Sequence, residues 1–549
     1  MRRKKKLLTM VLCAALTAGI LTGCGSTGRS TEPEGSPEIG STQESTAGEE
    51  ANAAQEESTA EHIEITMAVW NIEKAFSDAN DKVLQEIQEK LNITLTPVNI
   101  SWDDYTEKIQ LWAASDSLPD IFVGDIRTTS NFYTWATQGL LKEIPQDFSK
   151  YPNLSAYMDS PELNTCQVDG KTYCIFRQTF GEQSATARNT CIAYRWDLAQ
   201  KAGITKEPEN WDEFREMIQA IIMADPDNNN VQGATALGYD RLVGAVLPYS
   251  LSLGCAEGTS FYWSDKGDGT YIPSYFAGET LGANALPALQ LLRDMYEEGT
   301  IEKDIALTTT TQAHEKFLNG QSAAIIVDGF GGAYDDTGAY WQEVYGRDFF
   351  EDVKSLDIMP DINGQPAYPI ADYAWSESFI NASVDDEKLD RILQLYDYLL
   401  SDEGAFLGTY GYEGETFEFD ENGAVRLHEG VLPSEVYPST DVFSILVRWN
   451  PNTYDKRFPA GSIAPNECTK ADNRRQEEAR NFEIPEYDYA YTTAFISLGN
   501  GFSLNVKDDL LNIATGTKPV EDMWNEIIEG YKAKGLEDVI QQVNASVQK

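Results

Sequence analysis

Ile63-Glu-Ile-Thr-Met-Ala-Val69 alternates apolar and polar side chains, the period of a strand with one buried face. Asp78 to Leu91 follows, with Val83, Leu84, Ile87 and Leu91 on one helical face. Ile93, Leu95 and Pro97 mark a second strand, and Trp102 to Ala114 a second helix with Tyr105, Ile109 and Trp112 on one side. Pro119-Asp-Ile-Phe-Val123 closes the unit as a third strand. Strand alternating with helix predicts an open α/β sheet with parallel strands. Such sheets hold ligands at the carboxyl ends of their strands, and Trp70 and Asp125 sit just past two of those ends.

Upstream of this unit the chain reads as an export and anchoring device. Arg2, Arg3, Lys4, Lys5 and Lys6 precede an apolar run from Leu7 to Leu21, and small residues lead to Cys24. That is a signal segment spanning 1–23, with an apolar stretch too short to span a membrane comfortably. Leu21-Thr-Gly-Cys24 resembles the bacterial lipobox, which implies cleavage before Cys24 and a diacylglycerol on its sulfur. Two or more acyl chains hold a protein stably, each buried CH₂ contributing ~0.8 kcal/mol. Residues 24–61 are Gly, Ser, Thr, Glu, Ala, Pro and Gln with almost no large apolar side chain, a composition that predicts a disordered linker.

The remaining chain is long and acidic. It has 549 residues, 42% hydrophobic, and a formal net charge of −46, which favours solubility and repels a nucleic-acid backbone. Beyond Cys13 and Cys24 stand Cys166, Cys174, Cys191, Cys255 and Cys468, an odd set without C-x-x-C spacing, read as small buried residues with at most one disulfide. His62, His314 and His428 are scattered and form no zinc pattern, so no cofactor is expected. No G-x-x-x-x-G-K-[ST] motif occurs, so any ATP-driven role needs partner proteins. Further along, Ala193–Ala202, Trp211–Met223, Leu286–Glu298 and Leu389–Leu400 read as helices and Ala323–Val327 as a buried strand. Ile370–Asn381 reads as a strand studded with Tyr373, Trp375 and Glu377.

Several stretches in order carry a family likeness: Leu118-Pro-Asp-Ile-Phe122, Gly139-Leu-Leu-Lys-Glu-Ile144, Asp169-Gly-Lys-Thr-Tyr173, Tyr194-Arg-Trp-Asp197, Trp211-Asp-Glu-Phe214, Phe317-Leu-Asn-Gly-Gln-Ser-Ala-Ala324 and Thr515-Gly-Thr-Lys-Pro519. Together they make residues 62–549 resemble the family 1 extracellular solute-binding proteins, lipoprotein receptors of ABC importers. The resemblance implies a type II periplasmic-binding-protein fold, two α/β lobes joined by crossing strands around a ligand cleft. On that pattern 62–180 and 375–440 form lobe 1, and 181–374 and 441–549 form lobe 2. Crossings fall near Arg177–Ser184 and Ala371–Ser376, with a return near Val436–Val442.

Sugars offer flat C–H faces and rings of hydroxyls, so a sugar site calls for aromatic plates and carboxylates at their edges. The candidate ligand-binding residues are Trp70 with nearby Lys74, Asp125, Tyr239, Tyr249 in Leu247-Pro-Tyr-Ser250, Trp263, Phe330, Tyr373 and Trp375. The resemblance points to the first loop, to the Asp-Ile-Phe strand end and to the Pro-Tyr element. At Phe330 it implies a stacking tryptophan, from which this sequence departs. Tyr373 and Trp375 are expected on one side of a crossing strand, as the floor of the cleft. Some relatives carry a calcium loop of the form D-x-[DN]-x-N, which Asp225, Asp227 and Asn229 match. The completing positions here are Gly233, Ala234 and Ala236, without a carboxylate, so the loop is expected to be metal-free or weakly occupied.

The function implied is a monomeric receptor on the outer face of a Gram-positive-type cell membrane. It captures an oligosaccharide by cleft closure and serves an ABC permease with its ATPase subunits. Two alternatives stand beside it: a secreted polysaccharide-degrading lipoprotein, which needs two carboxylates ~5–10 Å apart, and a ligand sensor for a membrane receptor.

Overall fold

The computed structural model describes residues 61–102, 104–236, 239–251, 262–421, 425–428, 431–447, 466–482, 487–498 and 502–547; the readings placed on 1–60, Cys24 included, and on Cys255 lie outside the described residues. The opening unit runs β1 (Ile63–Ala68), α1 (Lys82–Leu91), β2 (Ile93–Pro97), α2 (Tyr105–Ala114) and β3 (Ile121–Gly124). α1 begins later than Asp78 because Asp81 caps it, its carboxylate accepting the Leu84 N–H at 3.0 Å. The strands that follow are β4 (Cys174–Gln178), β5 (Cys191–Arg195), β6 (Thr235–Ala236), β7 (Ala324–Val327), β8 (Val353–Ser355) and β9 (Ala374–Ile380). Two helices bear on the site, α3 (Asp386–Leu400) and α4 (Tyr489–Ser497).

The first sheet has the order β2-β1-β3-β9-β4. β1 is parallel to β2 and β3, with Met67 opposite Ile121. β9 is antiparallel to both β3 and β4, with Glu377 opposite Gly124. The expected parallel sheet is therefore mixed. β1 to β3 are joined by helical crossovers, which makes them parallel, whereas β9 arrives from the other lobe and is free of that constraint. Its pairing with β4 shifts register between Ala374 and Glu377.

The second sheet has the order β8-β5-β7-β6. β5 corrects the helix expected over Ala193–Ala202. Cys191–Arg195 is a strand buried at every position, and the helix starts only at Trp196. A strand buried on both faces has no alternation to reveal it, so a short apolar run fits either element.

Each sheet has its own apolar core. The chain leaves the first after Phe176, joins the second at Ile192, and returns between Met359 and Ala374. Val442, Phe443, Leu446 and Val447 still pack in the first core, beyond the expected boundary at 440. The Val447 carbonyl holds them there by accepting the Tyr157 hydroxyl and the Gln178 N–H. α4 touches both cores, with Ile496 in the first and Tyr491 in the second. Cys166, Cys174 and Cys191 are buried free thiols.

Candidate functional site

Trp70 follows β1 in a turn where Asn71 takes φ 62, a left-handed conformation that asparagine tolerates better than most residues. Trp102 stands between β2 and α2, Asp125 directly after β3, and Trp375 at the start of β9. The strand ends thus deliver four side chains to one place.

The three indoles are parallel within 4°. Trp70 lies 4.3 Å from Trp102 and 5.5 Å from Trp375, centroid to centroid, and Trp102 lies 5.7 Å from Trp375. Together the three parallel rings form one aromatic plate. Trp70 is 1% exposed, Trp102 43% exposed, and Trp375 is half-buried. Tyr105 braces Trp70 edge-on at 5.4 Å.

A guanidinium completes the backing. Arg177 of β4, fully buried, places its Cζ 4.7 Å from the Trp375 ring and 5.2 Å from Trp70, and its Nε donates to the Trp375 carbonyl at 2.9 Å. A desolvated cation on an indole face is worth about 2 kcal/mol, so Trp375 is held in place from behind. Burial pulls the Arg177 guanidinium down to about 9, which leaves it charged at neutral pH.

Beneath the plate lies a buried polar bed. Arg127 pairs with Asp372 at 2.5 Å, stands 3.5 Å from Glu377, and donates to Thr165 and to the Ala374 carbonyl. Glu377 accepts the backbone N–H groups of Ile126 and Arg127 at 2.5 and 2.7 Å. This locks the turn that carries Asp125 against β9. Tyr489 of α4 donates to Asp372 at 3.1 Å and accepts the Tyr373 N–H at 3.0 Å. Asp125 is half-buried and takes a side-chain hydrogen bond from Trp375. Burial is the largest influence on both acids at the bed's edge. It raises the Asp125 carboxyl and pushes Glu377 up to about 7, against the pull of Arg127.

The other expected residues fall elsewhere. Tyr373 is half-buried and meets Tyr489 edge-on at 6.4 Å, while Trp375 stacks on Trp70. Tyr373 precedes β9, and the register shift at Ala374 breaks the simple alternation that placed both rings on one side. Lys74 is exposed in the short helix after Trp70. Tyr249 is half-buried and lines a recess of the second lobe with Trp211, Met359 and Tyr368. Tyr239 opens the helix Tyr239–Val246, and its side chain lies outside the described residues. Trp263 is core: it is fully buried and stacks on Tyr491 at 6.0 Å. Phe330 is also core, packed on Phe349 and Phe350, its N–H donating to Asp472.

In the candidate calcium loop the oxygens are engaged by the protein itself. Asp225 accepts the backbone N–H groups of Asn229, Asn230 and Val231, and Asp227 pairs with Lys201 at 2.7 Å. The Asn229 amide donates to the Asn319 carbonyl. Sequence reasoning missed Trp102 and Arg177. Trp102 reads in sequence as the first residue of the second helix, whereas the structure starts that helix at Tyr105 and leaves Trp102 on the connection after β2.

A family model of the bacterial extracellular solute-binding proteins matches residues 71–406. The chain belongs to that family, which is one of binding proteins, and the polysaccharide-degrading alternative falls with it. Lipoprotein LipO of Bacillus subtilis (strain 168) is 24% identical over 333 residues, 58% of this chain and 61% of LipO. The polygalacturonan/rhamnogalacturonan-binding protein YtcQ of the same organism is 25% identical over 393 residues, covering 68% of this chain and 72% of YtcQ. The solved structure of the alginate-binding protein AlgQ2 without calcium ion superposes with a TM-score of 0.67 at 16% identity, over 89% of this chain and 98% of that one. That likeness shows the shared type II binding-protein fold. Among the described residues, no helix is long and apolar enough to cross a membrane.

The polar bed makes a pH prediction. Glu377 ordinarily titrates near 4.5 and here near 7, so the folded protein binds more protons between those values. Its contribution to stability is full below about 4.5 and is lost as pH rises through about 7. Relative to Glu377→Gln, the wild type should lose on the order of a few kcal/mol across that window. Thermal melts of both proteins at several pH values measure it; a wild type that gains on the variant as pH rises contradicts the raised carboxyl.

Proposed function

We propose that this chain is a lipid-anchored receptor outside the cell that captures an oligosaccharide between its lobes and delivers it to an ABC permease. The observation that carries the reading is the plate of parallel indoles, in which Trp102 is 43% exposed and Trp375 half-buried, with Asp125 beside Trp375. Parallel indoles with exposed area offer a flat apolar face to a sugar ring, and a carboxylate accepts hydroxyl hydrogens at the rim. The names of YtcQ and AlgQ2 point to polysaccharide ligands as well.

The lobes are 62–180 with 375 to about 447, and the rest of the chain from 181. Trp375 sits on the strand that returns from the second lobe, so a ligand on the plate touches the connection between lobes. Closure then follows as a shift of population toward the form that contacts ligand from both sides. The closed monomer is what the permease recognises. The lipid on Cys24 and the linker 24–61 keep the receptor near its permease at the membrane.

Two measurements test this. Trp102→Ala and Trp375→Ala should each weaken saccharide binding by roughly 1–3 kcal/mol in calorimetry, the worth of a large side chain's burial. Trp102→Ala should leave the melting temperature of the free protein almost unchanged because Trp102 is 43% exposed. Normal binding by both variants removes the plate from the site. Separately, Cys24→Ser should yield a folded protein that stays in the aqueous phase on detergent partitioning; a variant that still enters the detergent phase contradicts the anchor.

A further inference from the structure

We infer that the plate selects neutral oligosaccharides over uronate-containing ones, and that Asp125 is the residue that sets this preference. The inference rests on the reading that the plate holds a saccharide. It follows from the charges beside the rings and from what each already does.

Three carboxylates, Asp125, Asp372 and Glu377, stand with two guanidiniums, Arg127 and Arg177, behind and below the plate. Among the described residues behind and below the plate, the guanidiniums do not outnumber the acidic side chains. Both guanidiniums are buried. Arg127 donates to Asp372, to Thr165 and to the Ala374 carbonyl and neighbours Glu377. Arg177 donates to the Trp375 carbonyl and packs against the Trp375 and Trp70 rings. Turning either toward a ligand would strip charge pairs or the backing of the plate and leave buried groups without partners. Lys108, on the helix after Trp102, is taken by Asp104 at 2.8 Å.

Asp125 points the other way chemically. It follows β3 directly, is half-buried beside Trp375, and accepts a side-chain hydrogen bond from that residue. An ionised carboxylate has about four lone-pair sites, so acceptor capacity remains for sugar hydroxyls. A uronate carboxylate brought to the same edge meets a like charge in a partly desolvated place, where repulsion is poorly screened. A neutral sugar at that edge donates hydroxyls and meets none. Replacing the Asp125 carboxylate with an amide removes the charge while keeping size and one acceptor oxygen.

The test is calorimetric titration of the full mature chain, wild type and Asp125→Asn, with kestose, maltotriose, xylotriose and mannotriose as neutral probes and trigalacturonate and trimannuronate as acidic ones. The wild type should bind at least one neutral trisaccharide about 100-fold more tightly than either uronate, a like-charge penalty of ordinary size. That affinity should hold from low to high salt, since no ligand charge is involved. Asp125→Asn should weaken the neutral sugar about 10-fold and narrow its lead over the uronates to about 10-fold or less. Melting curves establish that the variant is folded, and Asp125→Glu, which keeps the charge, should keep the preference. A uronate that binds as tightly as the neutral sugars overturns the inference and leaves the saccharide reading standing. Binding of neither class overturns both. A preference unchanged in Asp125→Asn overturns the role of Asp125.

Discussion

Trp375 is held from behind by Arg177, and the site depends on that contact. The ring is half-buried at the start of β9, and the guanidinium packs against it from β4. Trp70 adds a second backing surface and carries Trp102 beside it. An aromatic pair is worth about 0.5–1.5 kcal/mol beyond its burial, and a desolvated cation on an indole about 2. Those contacts fix the rings before any ligand arrives. Preorganisation of this kind lowers the ordering cost of binding, which matters for a flat, weakly held ligand.

The polar bed explains why the plate can sit at a junction between lobes without drifting. Glu377 ties β9 to the turn after β3 through two backbone N–H groups. Arg127 ties that turn to Asp372 and to the start of β9. Tyr489 joins the same network from α4, a helix that packs in both cores. A change in how α4 lies against the first lobe is thereby felt at Asp372 and Tyr373, next to Trp375.

Much of this was legible in the sequence, for definite reasons. β1 alternated and the helices after β1 and β2 carried apolar stripes because each has one face on the core, while β3, buried at every position, was legible from its place in the strand–helix order; that order put Trp70 and Asp125 at strand ends. Trp375 stands out in sequence as an aromatic on a strand expected between lobes, and the structure places it on β9, stacked with Trp70. β5 was misread because Cys191–Arg195 is buried on both faces and has no period. Trp263 and Phe330 were indistinguishable from plate residues by type alone; their burial in the second lobe comes from helices far along the chain, such as α4 with Tyr491. Arg177 left no signal, since only the pairing of β4 with β9 brings it under Trp375. The return between lobes was placed too early because Val442 to Val447 are held by Tyr157 and Gln178, contacts no local pattern announces.

The central claim is that the Trp102–Trp375 plate receives the ligand, and hydroxyl-radical footprinting read by mass spectrometry tests it most directly. The protein is oxidised free and with the tightest-binding trisaccharide of the panel. Trp102, exposed in the free protein, should be oxidised readily alone and protected on binding, while the buried Trp263 and Trp524 stay unreactive in both states. Oxidation of Trp102 to the same extent with the site saturated would place the ligand elsewhere and contradict the account.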